Sequence, residues 1–196
     1  MSESTPPVLD PARFVRFGVL FYGAMALVAV LWRVGLYDEP IWLAASAPSG
    51  VAWWAQAGLG LGVAAAVVLV SCGLSELTGW GRRLARAMAE PLRGLGVPDA
   101  LLLAAASGLA EEMFFRGALQ PRVGLVVASA LFGVLHFAPR RELLPWTVFA
   151  VVMGFVLGWL FAWTGSLLAP VIAHTVINAV NLPLLVRRYG DASAGG

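Results

Sequence analysis

The chain has 196 residues, of which 60% are hydrophobic and 12% charged, with a mean hydropathy of +0.82. A soluble domain carries about 25% charged residues, so this composition excludes one and points to an integral membrane protein. The pI near 9.2 does not argue for nucleic acid, and the use of Arg for all 13 basic residues, with 22 Gly, reads as GC-rich coding and carries no chemistry of its own.

Residues 1–12 are polar and Pro-containing and read as a disordered tail. A bilayer crossing needs about 20 apolar residues. Six candidate spans follow, at roughly 14–36, 54–74, 99–119, 125–138, 143–163 and 167–186. The fourth is short. Arg13 and Arg16 precede the first span with no cleavage signature, so it reads as a retained span rather than a signal peptide. Cys72, the single Cys, lies in an apolar run and reads as a small buried hydrophobe. Between spans two and three, "GWGRRLARAMAEPLRGLG" reads either as an interfacial amphipathic helix interrupted at Pro91 or as a plain basic loop. Residues 187–196 read as a flexible tail. The expected fold is thus all-α and polytopic, in four parts: 1–12, two spans and a basic segment over 13–97, a core over 98–186, and 187–196.

Arg falls before span one, in the second loop, after span four and after span six, while the alternate loops carry Arg33, offset by Asp38 and Glu39, and Arg122. This pattern predicts cytoplasmic termini in a bacterial inner membrane. Trp32, Trp53, Trp54, Trp80, Trp146 and Trp163 fall near predicted span ends, where indoles anchor at the interface.

Few strongly polar groups lie well inside the spans: Glu111, Glu112 and Arg116 on the third, His136 on the fourth, His174 and Asn178 on the sixth. An ionisable group at that depth costs at least ~2.5–3.5 kcal/mol and marks a functional site by default. Glu112 and Arg116 are spaced i,i+4 and share a helix face, whereas Glu111 is turned about 100° away. His174 and Asn178 share a face in the same manner, and Asn181 continues it. Taken alone, Glu112–Arg116 is most often a packing ion pair and a lone His a satisfied interhelical hydrogen bond. Six such groups on three helices favour a site.

Other intramembrane chemistries fail by elimination. Asp10, Asp38, Asp99 and Asp191 lie in tails, loops or at a span end, so no aspartyl dyad forms. There is no H-E-x-x-H motif and no Lys, and Ser107 and Ser129 lack a G-x-S-G turn. A carboxylate, two imidazoles and a carboxamide remain, a set suited to activating water and stabilising an oxyanion.

"EEMFFR" (Glu111, Glu112, Arg116), "FGVLH" (Phe132, His136) and "HTVIN" (His174, Asn178) follow one another in an order that resembles the CPBP family of CAAX proteases and bacteriocin-processing or immunity proteins, also called Abi. The resemblance covers about 98–186 and implies a glutamic intramembrane endopeptidase acting on a membrane-anchored protein or peptide. It also implies the roles. Glu111 and His136 would activate water, His174 and Asn178 would form the oxyanion hole, and Glu112, Arg116 and Phe132 would support the site. No cofactor is expected; the alternative is a divalent metal such as zinc held by Glu111, His136 and His174.

Counting residues from the predicted span ends puts Glu111 and His174 level and nearer the extracytoplasmic side, with His136 several Å further in. That side suits removal of C-terminal sorting tails from exported proteins. Small size and GC-rich coding resemble the myxosortase branch of the family. The alternatives are a CAAX-type protease acting on prenylated proteins, a non-enzymatic immunity or peptide-binding protein, and a small proton-coupled carrier.

Overall fold

A computed structural model describes residues 10–44 and 50–189, and within them the architecture is all helical, with one isolated bridge between Leu43 and Ser166. Seven α-helices follow in order: α1 (Pro11–Val30), α2 (Trp53–Leu77), α3 (Gly79–Ala89), α4 (Val97–Glu112), α5 (Gln120–Leu135), α6 (Leu144–Thr164) and α7 (Leu168–Tyr189). π-helical turns extend α1 through Leu31–Leu36 and join α4 to α5 through Met113–Leu119. Five continuous helical stretches are long and apolar enough to cross a membrane. Their outward faces are apolar, with Phe17, Leu20 and Leu69 at least 70% exposed, the inverse of a soluble bundle. The chain is a polytopic membrane protein.

The first helix starts earlier than the sequence suggested. Asp10 caps it by accepting a hydrogen bond from the Ala12 amide, and Pro11 occupies the first turn, where its missing donor costs nothing. At the other end α7 runs through Arg187 and Arg188 to Tyr189. The remainder of both predicted tails, 1–9 and 190–196, lies outside the described residues. The basic segment is helical: Thr78 caps α3 through the Gly81 amide, Ala85 and Ala89 face inward, and the α-helix ends before Pro91. Glu90 pairs with Arg140 across the loops at 2.7 Å. The Arg140 hydrogen bond, with its positive charge, holds the Glu90 carboxyl below the usual carboxylate range.

Predicted spans three and four correspond to one continuous helical stretch, Val97–Leu135. It folds back at Gly124, whose φ of 80° and ψ of 168° break the helix at a conformation that favours glycine. Pairings across the fold march outward from the middle of the bundle. Glu111 meets His136, the Phe115 ring lies 5.0 Å from Phe132, and Leu119 packs in one cluster with Ala128. Two antiparallel legs result, and the second, 125–135, extends only about 16 Å. The first leg runs past Leu119, where the sequence suggested an end, to Val123. That extension brings His136 level with Glu111 and removes the offset expected from the span boundaries.

Close approach between helices rests on small residues, as is usual in bilayers. A Cβ on Gly108 of α4 would lie 2.4 Å from Thr175 Oγ1 and 2.8 Å from the Thr175 backbone of α7. Gly108→Ala therefore forces α4 and α7 apart and should cost about 1–3 kcal/mol. Thermal unfolding in detergent measures it; an unchanged midpoint would show that the two helices part freely. At the far end, Glu39 compensates buried Arg33 at 2.6 Å and Arg122 at 2.5 Å. This ties the Gly124 fold to the loop after α1.

Candidate functional site

All four residues expected to carry chemistry line one cavity of about 360 Å³: Glu111 from α4, His136 at the end of α5, His174 and Asn178 from α7. Glu111 Oε2 lies 3.7 Å from His136 Nε2 and 4.0 Å from His174 Nε2. It is buried and has no hydrogen-bond partner among the described residues. Both gaps exceed a direct hydrogen bond and are short enough for a bridging water.

The far nitrogens of both imidazoles are fixed. His136 Nδ1 lies 2.7 Å from the Phe132 carbonyl oxygen. A carbonyl only accepts, so Nδ1 carries the hydrogen and, in the neutral ring, Nε2 presents a lone pair toward Glu111. His174 Nδ1 lies 2.7 Å from Glu112 Oε1, so it too donates outward and turns Nε2 into the cavity. Asn178 Nδ2 donates to Ser107 Oγ at 3.0 Å, and Ser107 in turn donates to the Ala104 carbonyl at 3.2 Å. One Asn178 N–H is thereby used for orientation and the other remains.

Glu112 and Arg116 stand behind this layer, fully buried. Arg116 donates to Glu112 Oε1 at 2.8 Å and to the Gly154 carbonyl of α6 at 3.2 Å. Its guanidinium also lies 4.5 Å from the centre of the Phe132 ring. Phe132 thus stacks on the cation, contacts His136 at 4.5 Å between ring centres, and supplies the carbonyl that fixes it. The i,i+4 pairing read from the sequence is present. The salt link from Glu112 to His174 crosses between distant helices and leaves no local signal.

Four residues were missed or misread in the sequence. Ser107, considered only as a nucleophile, anchors Asn178. Trp146, read as an interfacial anchor, stacks with Phe149 and sits edge-on to His136 at 5.7 Å in the cavity wall. Tyr22 of α1 lines the same cavity. Asn181, read as an extension of the His174–Asn178 face, instead accepts from Ser71 of α2 at 3.2 Å.

The cavity walls include Phe14, Met88, Leu92, Trp146 and Leu182. All lie on the side of the site nearest the Arg-bearing segments around Arg13, Arg93, Arg140 and Arg187.

Zinc ligands stand about 2.0–2.2 Å from the metal, which places tetrahedral donors about 3.4 Å apart. The separations at Glu111 are 3.7 and 4.0 Å. Among the described residues no group of three or more His, Cys, Asp or Glu is arranged to hold a metal. The donors stand somewhat wider apart than bound zinc would hold them, and the steps below use only the chain's own residues.

A family model described as type II CAAX prenyl endopeptidase Rce1-like matches residues 93–180. The uncharacterized protein YpbD of Bacillus subtilis is 43% identical over 86 residues, which cover 43% of this chain and 44% of YpbD. The chain thus spans less than half the length of the curated relative it matches. No solved structure matches. The matched segment contains Glu111, His136, His174 and Asn178 together with their supports Glu112, Arg116 and Phe132, and over that segment, less than half of its length, the chain is similar to the Rce1-like family.

Proposed function

We propose that the chain is a glutamic intramembrane endopeptidase that hydrolyses a peptide bond near the membrane anchor of a protein or peptide. The observation that carries this reading is the unpartnered Glu111 Oε2 facing two imidazole Nε2 atoms across water-sized gaps.

Glu111, with His136 Nε2 as second acceptor, takes a proton from a water held between them, and the water oxygen attacks the scissile carbonyl carbon. The carbonyl electrons move onto oxygen. His174 Nε2–H, when that ring carries both protons, and the free Asn178 N–H donate to this oxyanion. Collapse returns the electrons, the C–N bond breaks, and the proton held at Glu111 and His136 passes to the leaving nitrogen. No covalent enzyme intermediate forms. Asn178→Ala should lower kcat by roughly 10²–10³-fold with a smaller change in KM. Steady-state rates on one anchored peptide measure this, and unchanged kcat would remove Asn178 from the oxyanion hole.

The Arg pattern supports cytoplasmic termini in a bacterial cell membrane, and in that orientation the walls formed by Phe14, Met88, Leu92 and Leu182 lie toward the cytoplasm. This orientation supports substrates presented from that side. A mostly apolar cavity of about 360 Å³ beside the site favours, as second reading, a CAAX-type substrate carrying a lipid-modified end. Removal of sorting tails from exported proteins, the myxosortase-like reading, needs access from the other face, which the cavity does not favour.

The test uses the full chain in lipid vesicles with fluorogenic peptides carrying one apolar anchor at either end. Cleavage that resists hydroxyl- and thiol-directed acylating reagents and is lost in Glu111→Gln is the expected result. Binding without cleavage would establish the immunity or peptide-binding reading instead.

A further inference from the structure

The matched family segment begins at Arg93, but one wall of the catalytic cavity comes from α1. There Gly18 allows close approach to α4: a Cβ on it would lie 2.7 Å from Leu103 Cδ2. Tyr22 follows Gly18 by one turn, on the same face of α1, while Ser107 and Glu111 follow Leu103 at successive turns of α4. Tyr22 and Glu111 line the same cavity. From α5, α7 and the turn after α4, the other titratable groups around Glu111 are His136, His174, and Glu112 bound to Arg116. Glu112 and Arg116 satisfy each other, and the imidazole Nε2 atoms lie too far from Glu111 Oε2 to fix it by ordinary hydrogen bonds. The Tyr22 hydroxyl is a donor in the same cavity wall that those groups leave without a partner. It also has a reason to be polar on a helix whose neighbouring positions in the wall are Phe14, Phe17 and Phe21.

We propose that Tyr22 is a positioning residue for Glu111, its hydroxyl donating to the carboxylate so that Oε2 stays aimed between the two imidazoles. The hydrolytic unit then includes α1 and extends beyond the segment shared with the family. This assignment rests on the endopeptidase reading.

The experiment compares the full chain, Tyr22→Phe and Glu111→Gln in vesicles, on an anchored fluorogenic peptide that the unmodified chain cleaves. Phe keeps the ring and its packing and removes only the hydroxyl. Tyr22→Phe should lower kcat about tenfold, the worth of one hydrogen bond to a charged group, with KM and the unfolding midpoint unchanged. Combined with Glu111→Asp, whose shorter carboxylate is already withdrawn, Tyr22→Phe should add less than half its single effect on a logarithmic scale. Unchanged kcat in Tyr22→Phe, a raised KM alone, or full additivity in the double variant would overturn the assignment. If Glu111→Gln cleaves as fast as the unmodified chain, the endopeptidase reading itself falls, a result separate from any of these.

Discussion

Glu111→Gln leaves the bundle folded and lowers peptide hydrolysis by about 10²–10⁴-fold, the range for loss of a general base. The two halves of this expectation have different origins. Glu111 Oε2 has no hydrogen-bond partner among the described residues and its side chain is 9% exposed, and the isosteric amide keeps an oxygen that can still accept from the Tyr22 hydroxyl, so the substitution removes no structural contact. It also removes the cost of keeping an ionised carboxyl in a mostly apolar cavity, so the unfolding midpoint should hold or rise. The amide nitrogen, however, cannot accept a proton from water, and the amide oxygen is a feeble base. Initial rates on an anchored peptide, read beside thermal unfolding in the same detergent, measure both. Equal rates for the variant and the unmodified chain would sink the activated-water mechanism. A collapse of stability with the rate would show that Glu111 is instead part of the architecture.

Much of this site was legible in the sequence because it is built from charges that a bilayer disfavours. Glu111, Glu112, Arg116, His136, His174 and Asn178 stood out against an apolar background, and i,i+4 spacing correctly paired Glu112 with Arg116. The segment around Arg82 and Arg83 could be placed between spans from composition, which left helix and plain loop open; the structure makes it helical up to Ala89. What was illegible depends on helix ends and long-range contact. Hydropathy sees where an apolar run weakens, at Gln120 and Pro121, but the helix continues because Gln120 donates to the Gly158 carbonyl of α6 at 2.8 Å and is buried there. The fold at Gly124 turns on one dihedral angle, and its two legs set the height of His136. Nothing local to Tyr22 or Trp146 separates a cavity wall from an aromatic belt. That distinction exists only once α1 and α6 are brought to the same cavity as Glu111.

The buried pair behind the site gives the largest expected effect on stability. Arg116→Met should destabilise the chain by about 3–5 kcal/mol, because it strands Glu112, fully buried, opposite an uncharged neighbour. It also removes the donor to the Gly154 carbonyl and the cation over Phe132. Adding Glu112→Gln removes the stranded charge, and the double variant should recover most of that loss, since apolar or neutral replacements of buried pairs are often tolerated. Activity should not return with stability. Glu112 Oε1 also accepts from His174 Nδ1 at 2.7 Å. A Gln oxygen at that place still accepts, but without the negative charge that supports a doubly protonated ring. The double variant should therefore stay at least about tenfold slow, the worth of a charge-assisted hydrogen bond. Thermal unfolding and rates on the two single variants and the double decide it. If rate and stability recover together, Glu112 serves only to neutralise Arg116; if stability alone recovers, Glu112 holds His174 in its working state, and a single carboxylate ties the architecture of the bundle to the chemistry of the neighbouring layer.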